Sequence, residues 1–283
     1  MQDKKTVIYS PLVSIVIPCF NDADYIEKAV DSALQQTYAN KEVIVVDDGS
    51  NMVTKQALQR LKRKVSVLIT QENLGQSKAR NNGIKKAKGL YVLTLDSDDF
   101  LEPNFCEKAE ALIRFDHIRM VSSYTRCFNA EREWVFKSKG GFLKDFLFQS
   151  SSLNNILFRK EDWEIIGGYD EKMTFGWEDW EFCIRLLQLG GECKIIPEVL
   201  FNYRKRTDST TSKALANSTS LWRYLMQKHK NLYIANYDNL IDFFLYKIER
   251  EEFEKEKNRN RLEFIIGATV LKPLRFLKKR FHE

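Results

Sequence analysis

The chain predicts an α/β fold, with a mostly parallel central sheet flanked by helices and a C-terminal helical extension. Three observations predict it. Short apolar, β-branched runs alternate with segments of helical period through the first half. Single helices between such runs imply right-handed βαβ units, hence a parallel sheet. Strand signals stop after about residue 212, where helical periods take over. The expected division is 1–212 for the α/β domain and 213–283 for the extension.

Residues 12–17 (LVSIVI) form the first run, short enough for a strand buried on both faces and expected to end at Pro18. Asp24 and Glu27 have the spacing of a capping box. Ile26, Ala29, Val30, Ala33 and Leu34 then recur at helical spacing. Residues 43–46 give a second strand ending at Asp47-Asp48-Gly49-Ser50, and residues 65–69 a third. A polar loop, Asn73-Leu74-Gly75-Gln76, leads into a helix through Ala87 that Gly89 is expected to close. Residues 90–95 give a fourth strand, ending at Asp96-Ser97-Asp98-Asp99, and Pro103 suits the first turn of the next helix. Residues 122–203 are mixed. A strand is expected at 155–158, a helix from Glu178 burying Phe182, Cys183, Leu186 and Leu187, and a strand at Ile195-Ile196. Helices follow over 221–232 and 240–254, and the charged stretch 251–261 reads as a solvated helix or connector.

Composition narrows the class. Of 283 residues, 43% are hydrophobic and 12% aromatic, which excludes wholesale disorder; 12 Gly and 5 Pro exclude collagen-like chains. Lys plus Arg is 45 against 39 for Asp plus Glu, a net charge of +6 compatible with nucleic acid, an anionic membrane or a phosphorylated ligand. Five scattered cysteines without a CxxC pair, and only 3 His, argue against disulfides and zinc and for free thiols in a reducing compartment. No apolar leader precedes residue 11 and no apolar run reaches about 18 residues, so the expected location is cytoplasmic.

Five constellations carry chemistry. Asp96-Ser97-Asp98-Asp99 crowds carboxylates that repel one another unless a hard divalent cation, such as Mg²⁺ or Mn²⁺, intervenes; the plainer reading is a solvated turn. Asp47-Asp48-Gly49-Ser50 offers a carboxylate to a base or sugar, or is a turn. In parallel sheets ligands bind beyond the carboxyl ends of strands, so both clusters are expected to be neighbours. Arg80, near a helix start, suits a phosphate or base, or a surface ion pair. Glu178-Asp179, flanked by Trp177 and Trp180, suits a general base beside a sugar-stacking indole; the indoles equally suit the core. Tyr203-Arg204-Lys205-Arg206 offers cations to a leaving diphosphate, or is a solvated basic loop.

Absences discriminate further. No GxGxxG follows a strand, and there is no GxxxxGK[ST] loop and no GxSxG elbow. The basic residues do not form a known nucleic-acid motif, so no nucleic-acid partner is expected.

Taken in order, these segments resemble the family 2 inverting glycosyltransferases of the GT-A fold, of the bacterial cell-surface polysaccharide type. The resemblance rests on residues 13–21 (VSIVIPCFN), 42–50 (EVIVVDDGS), 73–81 (NLGQSKARN), 93–99 (LTLDSDD) and 176–182 (GWEDWEF), spanning about residues 11–210. It implies that Pro18 and Phe20 line the nucleotide-base pocket and Asp48 pairs with the base, usually uracil. Arg80 would reach the base or diphosphate, Asp96 the ribose and sugar, and Asp98 would ligate Mg²⁺ or Mn²⁺. Asp99 would be a neighbouring contact, Asp179 the catalytic base and Glu178 its support. Trp177 and Asn155 are acceptor candidates. Many relatives carry a His two residues after the Tyr-Arg pair; here Arg206 stands there, and its charge suits the leaving diphosphate.

The implied activity is metal-dependent transfer of a sugar from a nucleotide donor, UDP-linked in such relatives, to an acceptor hydroxyl with inversion, in cell-surface polysaccharide or lipid-linked glycan synthesis. Two alternatives stand beside it: sugar-nucleotide nucleotidyl transfer, disfavoured by Pro18-Cys19-Phe20-Asn21 where a Gly/Arg-rich loop is typical, and a non-catalytic sugar-nucleotide-binding module. The end of the chain, residues 262–281, places Ile266, Val270, Leu274, Leu277 and Phe281 at helical spacing among Lys272, Arg275, Lys278, Lys279 and Arg280. That is a basic amphipathic helix, expected to contact the inner face of an anionic membrane.

Overall fold

The computed structural model describes residues 10–153, 155–206, 214, 217–262, 264 and 266. Their contacts divide the chain into two compact units, Met1–Gln227 and Lys228–Glu283. Among the described residues the first unit holds one nine-stranded sheet: β1 Val13–Cys19, β2 Lys41–Asp48, β3 Val67–Gln71, β4 Tyr91–Thr94, β5 Phe100–Leu101, β6 Ile118–Phe128, β7 Glu133–Phe136, β8 Leu157–Arg159 and β9 Glu192–Arg204. The order is β3-β2-β1-β4-β8-β6-β9-β5, with β7 pairing on β6. The first four run parallel, as do β6 and β9; β8, β5 and β7 are antiparallel to their neighbours.

Apolar residues on both sides of β1 and β2 explain why helices cover both faces. Ile15, Ile17, Val43 and Val45 belong to a core with Ile26, Ala29, Val30 and Ala33 of α1 (Ile26–Leu34), Leu58 of α2 (Met52–Leu61) and Phe105 and Ala109 of α4 (Phe105–Ile113). Val16 and Val46 point the other way, toward α3 (Gln76–Lys86), where Gly83 allows close approach. Burying each such aliphatic side chain stabilises the fold by roughly 1.5–3 kcal/mol.

Several local expectations are corrected. β1 does not stop at Pro18 but continues to Cys19, with Pro18 in register with Val46. The proline is tolerated because β4 has already ended opposite Val16, so the missing N–H faces no strand. The Asp24/Glu27 capping box does not form. α1 begins at Ile26 with Tyr25 as its N-cap, and the N–H groups of Tyr25 and Ile26 donate to the Asp22 carbonyl. Gly89 does not close α3, which Ala87 caps in an extended conformation. A side chain at 89 would instead meet the Leu12 carbonyl and Ser14 Oγ at 2.6 Å. β9 runs through Pro197 by a bulge: Ile196 opposes Ser123, and Val199 opposes Tyr124.

Short α5 (Leu143–Phe146) and α6 (Lys160–Ile166) precede α7 (Glu178–Gln188), which buries Phe182, Cys183, Leu186 and Leu187 as expected. The helix expected over 221–232 is two: α8 (Ser218–Lys228) and α9 (Lys230–Ala235), separated at His229, whose φ of −106° and ψ of 31° are not helical. Leu221 of α8 packs with Met173 and Ala214, which explains why the first unit extends to Gln227. α10 (Tyr237–Arg259) buries none of its residues. The basic amphipathic segment lies outside the described residues apart from Leu262, Phe264 and Ile266. Among the described residues no helix is long and apolar enough to cross a membrane.

Gly83 tests how closely α3 must lie on the sheet. An added Cβ would meet Val16 Cγ1 at 2.4 Å and Val46 Cγ2 at 3.0 Å. Both valines are fully buried and stiff at χ1. Gly83→Val is expected to lower the unfolding free energy in urea by about 1–3 kcal/mol.

Candidate active site

The carboxyl ends of β1, β2 and β4, the starts of α3 and α7, and the end of β9 supply one set of polar side chains. Arg80, on the second turn of α3, is the largest fully buried side chain. Its Nη2 donates to Asp96 Oδ1 at 2.7 Å and its Nη1 to Glu178 Oε1 at 2.8 Å. Burial opposes its charge, but the two carboxylates outweigh burial and raise its pKa. The structure thus joins three residues far apart in sequence, and Arg80 is not the surface ion pair that the sequence also allowed. Gln76 Nε2 adds a bond to Asp96 Oδ1 at 2.9 Å.

Glu178 and Asp179 open α7, reached through Gly176 (φ 106°) and Trp177 (φ 65°). A left-handed Trp is strained, costing about 1–3 kcal/mol. Packing holds it: its ring meets Trp180 at 5.1 Å and Trp222 of α8 at 5.6 Å, both edge-on. Trp180 is buried and donates its indole N–H to the Phe146 carbonyl, so it serves the core; Trp177 keeps part of its surface. Burial and neighbouring Glu178 push the Asp179 carboxyl up to about 6, against the pull of Arg80 and the Trp180 N–H.

A second network surrounds the acid turn. Asp22 Oδ2 accepts from Ser97 Oγ at 2.6 Å, and Asp22 Oδ1 accepts from Arg206 at 2.6 Å. Arg206 also reaches Asp98 Oδ2 at 3.5 Å. Asp98 is pushed up to about 6 by burial, Asp96 and Asp22, with Arg206 opposing. Asp99 is raised further by burial and by Asp98 and Asp96; its Oδ1 accepts the Arg204 N–H at 2.8 Å. β5 pairs with β9 next to this turn and so brings Arg204 and Arg206 to it.

Asp48 is buried and its carboxylate accepts three bonds: from Gln71 Nε2, the Leu74 N–H and the Gly75 N–H. It therefore shapes the 71–75 loop and keeps about one of four acceptor positions. The loop in turn carries Gln76 to Asp96, which links the two acidic strand ends. Pro18 is buried, whereas Phe20 is 45% exposed beyond β1. Asn21 (φ 59°) ties this end to the next strand's loop, accepting from the Asn51 N–H and donating its own N–H to Ser50 Oγ. Asn155 is not brought to the site. It is fully buried, with its amide bonded to Ser122 and Ser123 of β6, so it presents no surface to an acceptor. Sequence reasoning missed Asp22, Gln76 and Trp222; the acid directly after Asn21 was the available signal for Asp22.

Among the described residues no three His, Cys, Asp or Glu side chains form a closed metal cage. The donor set nonetheless fits a hard divalent ion. Burial, Asp96 and Asp22 raise the proton affinity of Asp98, and a cation would relieve the crowding of these carboxylates. Such ions commonly take one or two carboxylates, with substrate phosphates and water completing the shell.

Residues 14–173 match the sequence profile of glycosyl transferase family 2. The chain belongs to this glycosyltransferase family. Residues 152–209 also match a profile described as the N-terminal domain of galactosyltransferase. A glycosyltransferase of Rickettsia prowazekii is 48% identical over 97% of this chain and 82% of its own length. Chondroitin synthase of Escherichia coli is 29% identical over 85% of this chain, which spans 37% of that enzyme. The fold is shared with S. aureus TarS 1-349 in complex with UDP, with a TM-score of 0.59 and 22% identity over 68% of this chain and 60% of that one. It is shared too with the mannosyltransferase PcManGT from Pyrobaculum calidifontis in complex with GDP-Man and Mn²⁺, with a TM-score of 0.58 and 21% identity over 72% of this chain and 60% of that one. The glycosyltransferase therefore has the GT-A architecture expected from its sequence.

In this glycosyltransferase, Arg80 and Glu178 are buried partners. Removing the cation alone leaves carboxylates uncompensated in the interior. Arg80→Met is expected to cost about 3–5 kcal/mol in urea unfolding. Adding Glu178→Gln is expected to recover part of that loss.

Proposed function

We propose that this glycosyltransferase moves a sugar from a nucleotide donor of the UDP type to an acceptor hydroxyl with inversion, in cell-surface polysaccharide or lipid-linked glycan synthesis. The observation that carries the proposal is Arg80, which holds the acid turn at Asp96 and the start of α7 at Glu178 against one guanidinium. A donor-binding turn and a base-bearing helix are thereby fixed beside each other. The complexes of related structures with UDP and with GDP-Man and Mn²⁺ support a nucleotide donor, and the chondroitin synthase likeness supports a glycan product.

The family resemblance and the geometry of the site support the following roles. Phe20, exposed beside Pro18, offers a ring to the base, and the remaining acceptor position of Asp48 suits a base N–H. Asp96 faces the ribose and sugar. Asp98 would hold Mg²⁺ or Mn²⁺, which when bound supplies positive charge to the diphosphate. Asp179 takes the proton of the acceptor hydroxyl, whose oxygen attacks the anomeric carbon from the face opposite the diphosphate. Arg206 stabilises charge on the leaving group. Burial and the neighbouring Glu178 keep the Asp179 proton affinity high enough for a base. Trp177 offers its exposed surface to the acceptor sugar.

Hydrolysis of UDP-sugars with Mn²⁺ tests the assignment. Asp98→Ala and Asp179→Asn are each expected to lose at least about 100-fold in rate while melting as the wild type does. Wild-type rates in both variants would end the proposal. The base must be ionised to act, and its raised pKa keeps the proton on until about pH 6. The wild-type kcat/KM is accordingly expected to rise about tenfold per unit up to that pH and then level off. The basic amphipathic segment is proposed to dock the enzyme on an anionic membrane near a lipid-linked acceptor. Vesicle flotation is expected to fall when the chain is cut before Leu262; equal flotation would remove the docking role.

A further inference from the structure

Beside this site lies a second array that shares only Arg206 with the donor site. Arg126 and Phe128, two residues apart on β6, share a face of the sheet, and Arg204 on β9 pairs in register with Phe128. The Arg204 guanidinium lies 4.8 Å from the Phe128 ring centre and 4.5 Å from that of Tyr25. Arg126 lies 6.0 Å from Phe128. The Lys28 ammonium sits 3.4 Å over Phe100, which meets Phe128 edge-on at 5.9 Å. Arg206 lies 5.3 Å from Tyr25 and is the residue that bonds Asp22 and reaches Asp98. A continuous ladder of cations and rings thus leads from the outer strands to the acid turn. Lys137, 6.0 Å from Tyr124, extends it along β6.

Cation–ring pairs arise roughly once per 70–80 residues. Here four cations share three rings, which makes the cluster unusual. The like charges also crowd one another. Burial, followed by repulsion from Arg204 and Arg126, lowers the Lys28 pKa, with Glu102 opposing. Crowded cations, steadied by rings beneath them, are prepared for anions at reduced cost in side-chain freedom. Lys28, Arg126 and Lys137 are exposed. Arg126 Nη2 also donates to Glu133 Oε2 at 2.6 Å, an exposed pair of the kind that contributes little to stability and that an incoming anion can displace.

We propose that this ladder binds the acidic groups of an anionic glycan chain, the acceptor of the transfer reaction, and leads it to the acid turn. The inference rests on the proposed transfer and names its acceptor class. A membrane-docking face would turn its rings outward to lipid. A single-strand nucleic-acid platform would leave them open for stacking. Here the rings carry cations, and the ladder ends at the proposed leaving-group cation.

The test uses the full-length protein and a Lys28→Ala/Arg126→Ala/Lys137→Ala variant, which leaves the acid turn and the start of α7 untouched. The probe is a hyaluronan octasaccharide, with a carboxylate on every second sugar, against neutral maltooctaose in calorimetry. The wild type is expected to bind only the acidic chain, and the variant to bind it at least about tenfold more weakly. Melting and UDP-sugar hydrolysis are expected to stay as in the wild type. Equal affinity of variant and wild type for the acidic chain, or equal binding of the neutral one, would overturn the proposal. So would a variant that keeps the oligosaccharide but loses flotation on phosphatidylserine vesicles, which would mark a membrane contact. Charge-dependent binding by a wild type that hydrolyses no UDP-sugar would support the ladder and remove the transfer reading instead.

Discussion

The Arg80 guanidinium, enclosed within the first unit, is the interaction on which the site depends. It faces two carboxylates from separate elements, Asp96 after β4 and Glu178 at the start of α7. Desolvating such charges costs several kcal/mol each, and the attraction between them repays this only in good geometry. The geometry is good here because α3 lies close to the sheet at Gly83, and because Gln76 on the same helix also bonds Asp96. What the ion pair supplies is position. An apolar trio would pack as well but would not fix two acids at one bond length from a common donor.

Asn81, next along α3, extends this control. Its Oδ1 accepts from the Tyr169 N–H and Trp163 Nε1, and its Nδ2 donates to the Tyr169 carbonyl and Glu171. Gly168 must be a glycine for this hub to form, because a side chain there would meet Asn81 Oδ1 at 2.6 Å in a left-handed turn. Tyr169 then stacks on Phe182 of α7 with ring centres 4.0 Å apart. One short helix therefore holds the acid turn through Arg80 and the α7 side through both Arg80 and Asn81.

The second network behaves differently. Asp22, Ser97, Arg206 and Asp98 join the loops after β1 and β4 to the end of β9, and Arg206 and Asp98 keep part of their surface. Burial, Asp96 and Asp22 raise Asp98 there, whereas in the first network the two carboxylates outweigh burial and keep Arg80 charged. A buried ion-paired cluster beside a more open, charge-crowded acidic turn suits a site that must hold its frame and still accept a charged ligand.

The sequence by itself determined the α/β alternation, the placing of both acidic clusters at strand ends, and the family, because apolar period and short motifs are local. It also marked Arg80, Asp98, Arg206 and Glu178-Asp179 as chemically loaded. Other features depended on tertiary structure. Pro18 stays within β1 because the neighbouring β4 has already ended opposite Val16, and Asp24 caps nothing because the Asp22 carbonyl already serves the helix start. Asn155 looked like a polar residue at a strand and proved to be enclosed among β6 hydroxyls. The partners of Arg80 are 16 and 98 residues away. Whether that charge met water or two buried acids was a matter of which elements packed against α3, which no local pattern encodes.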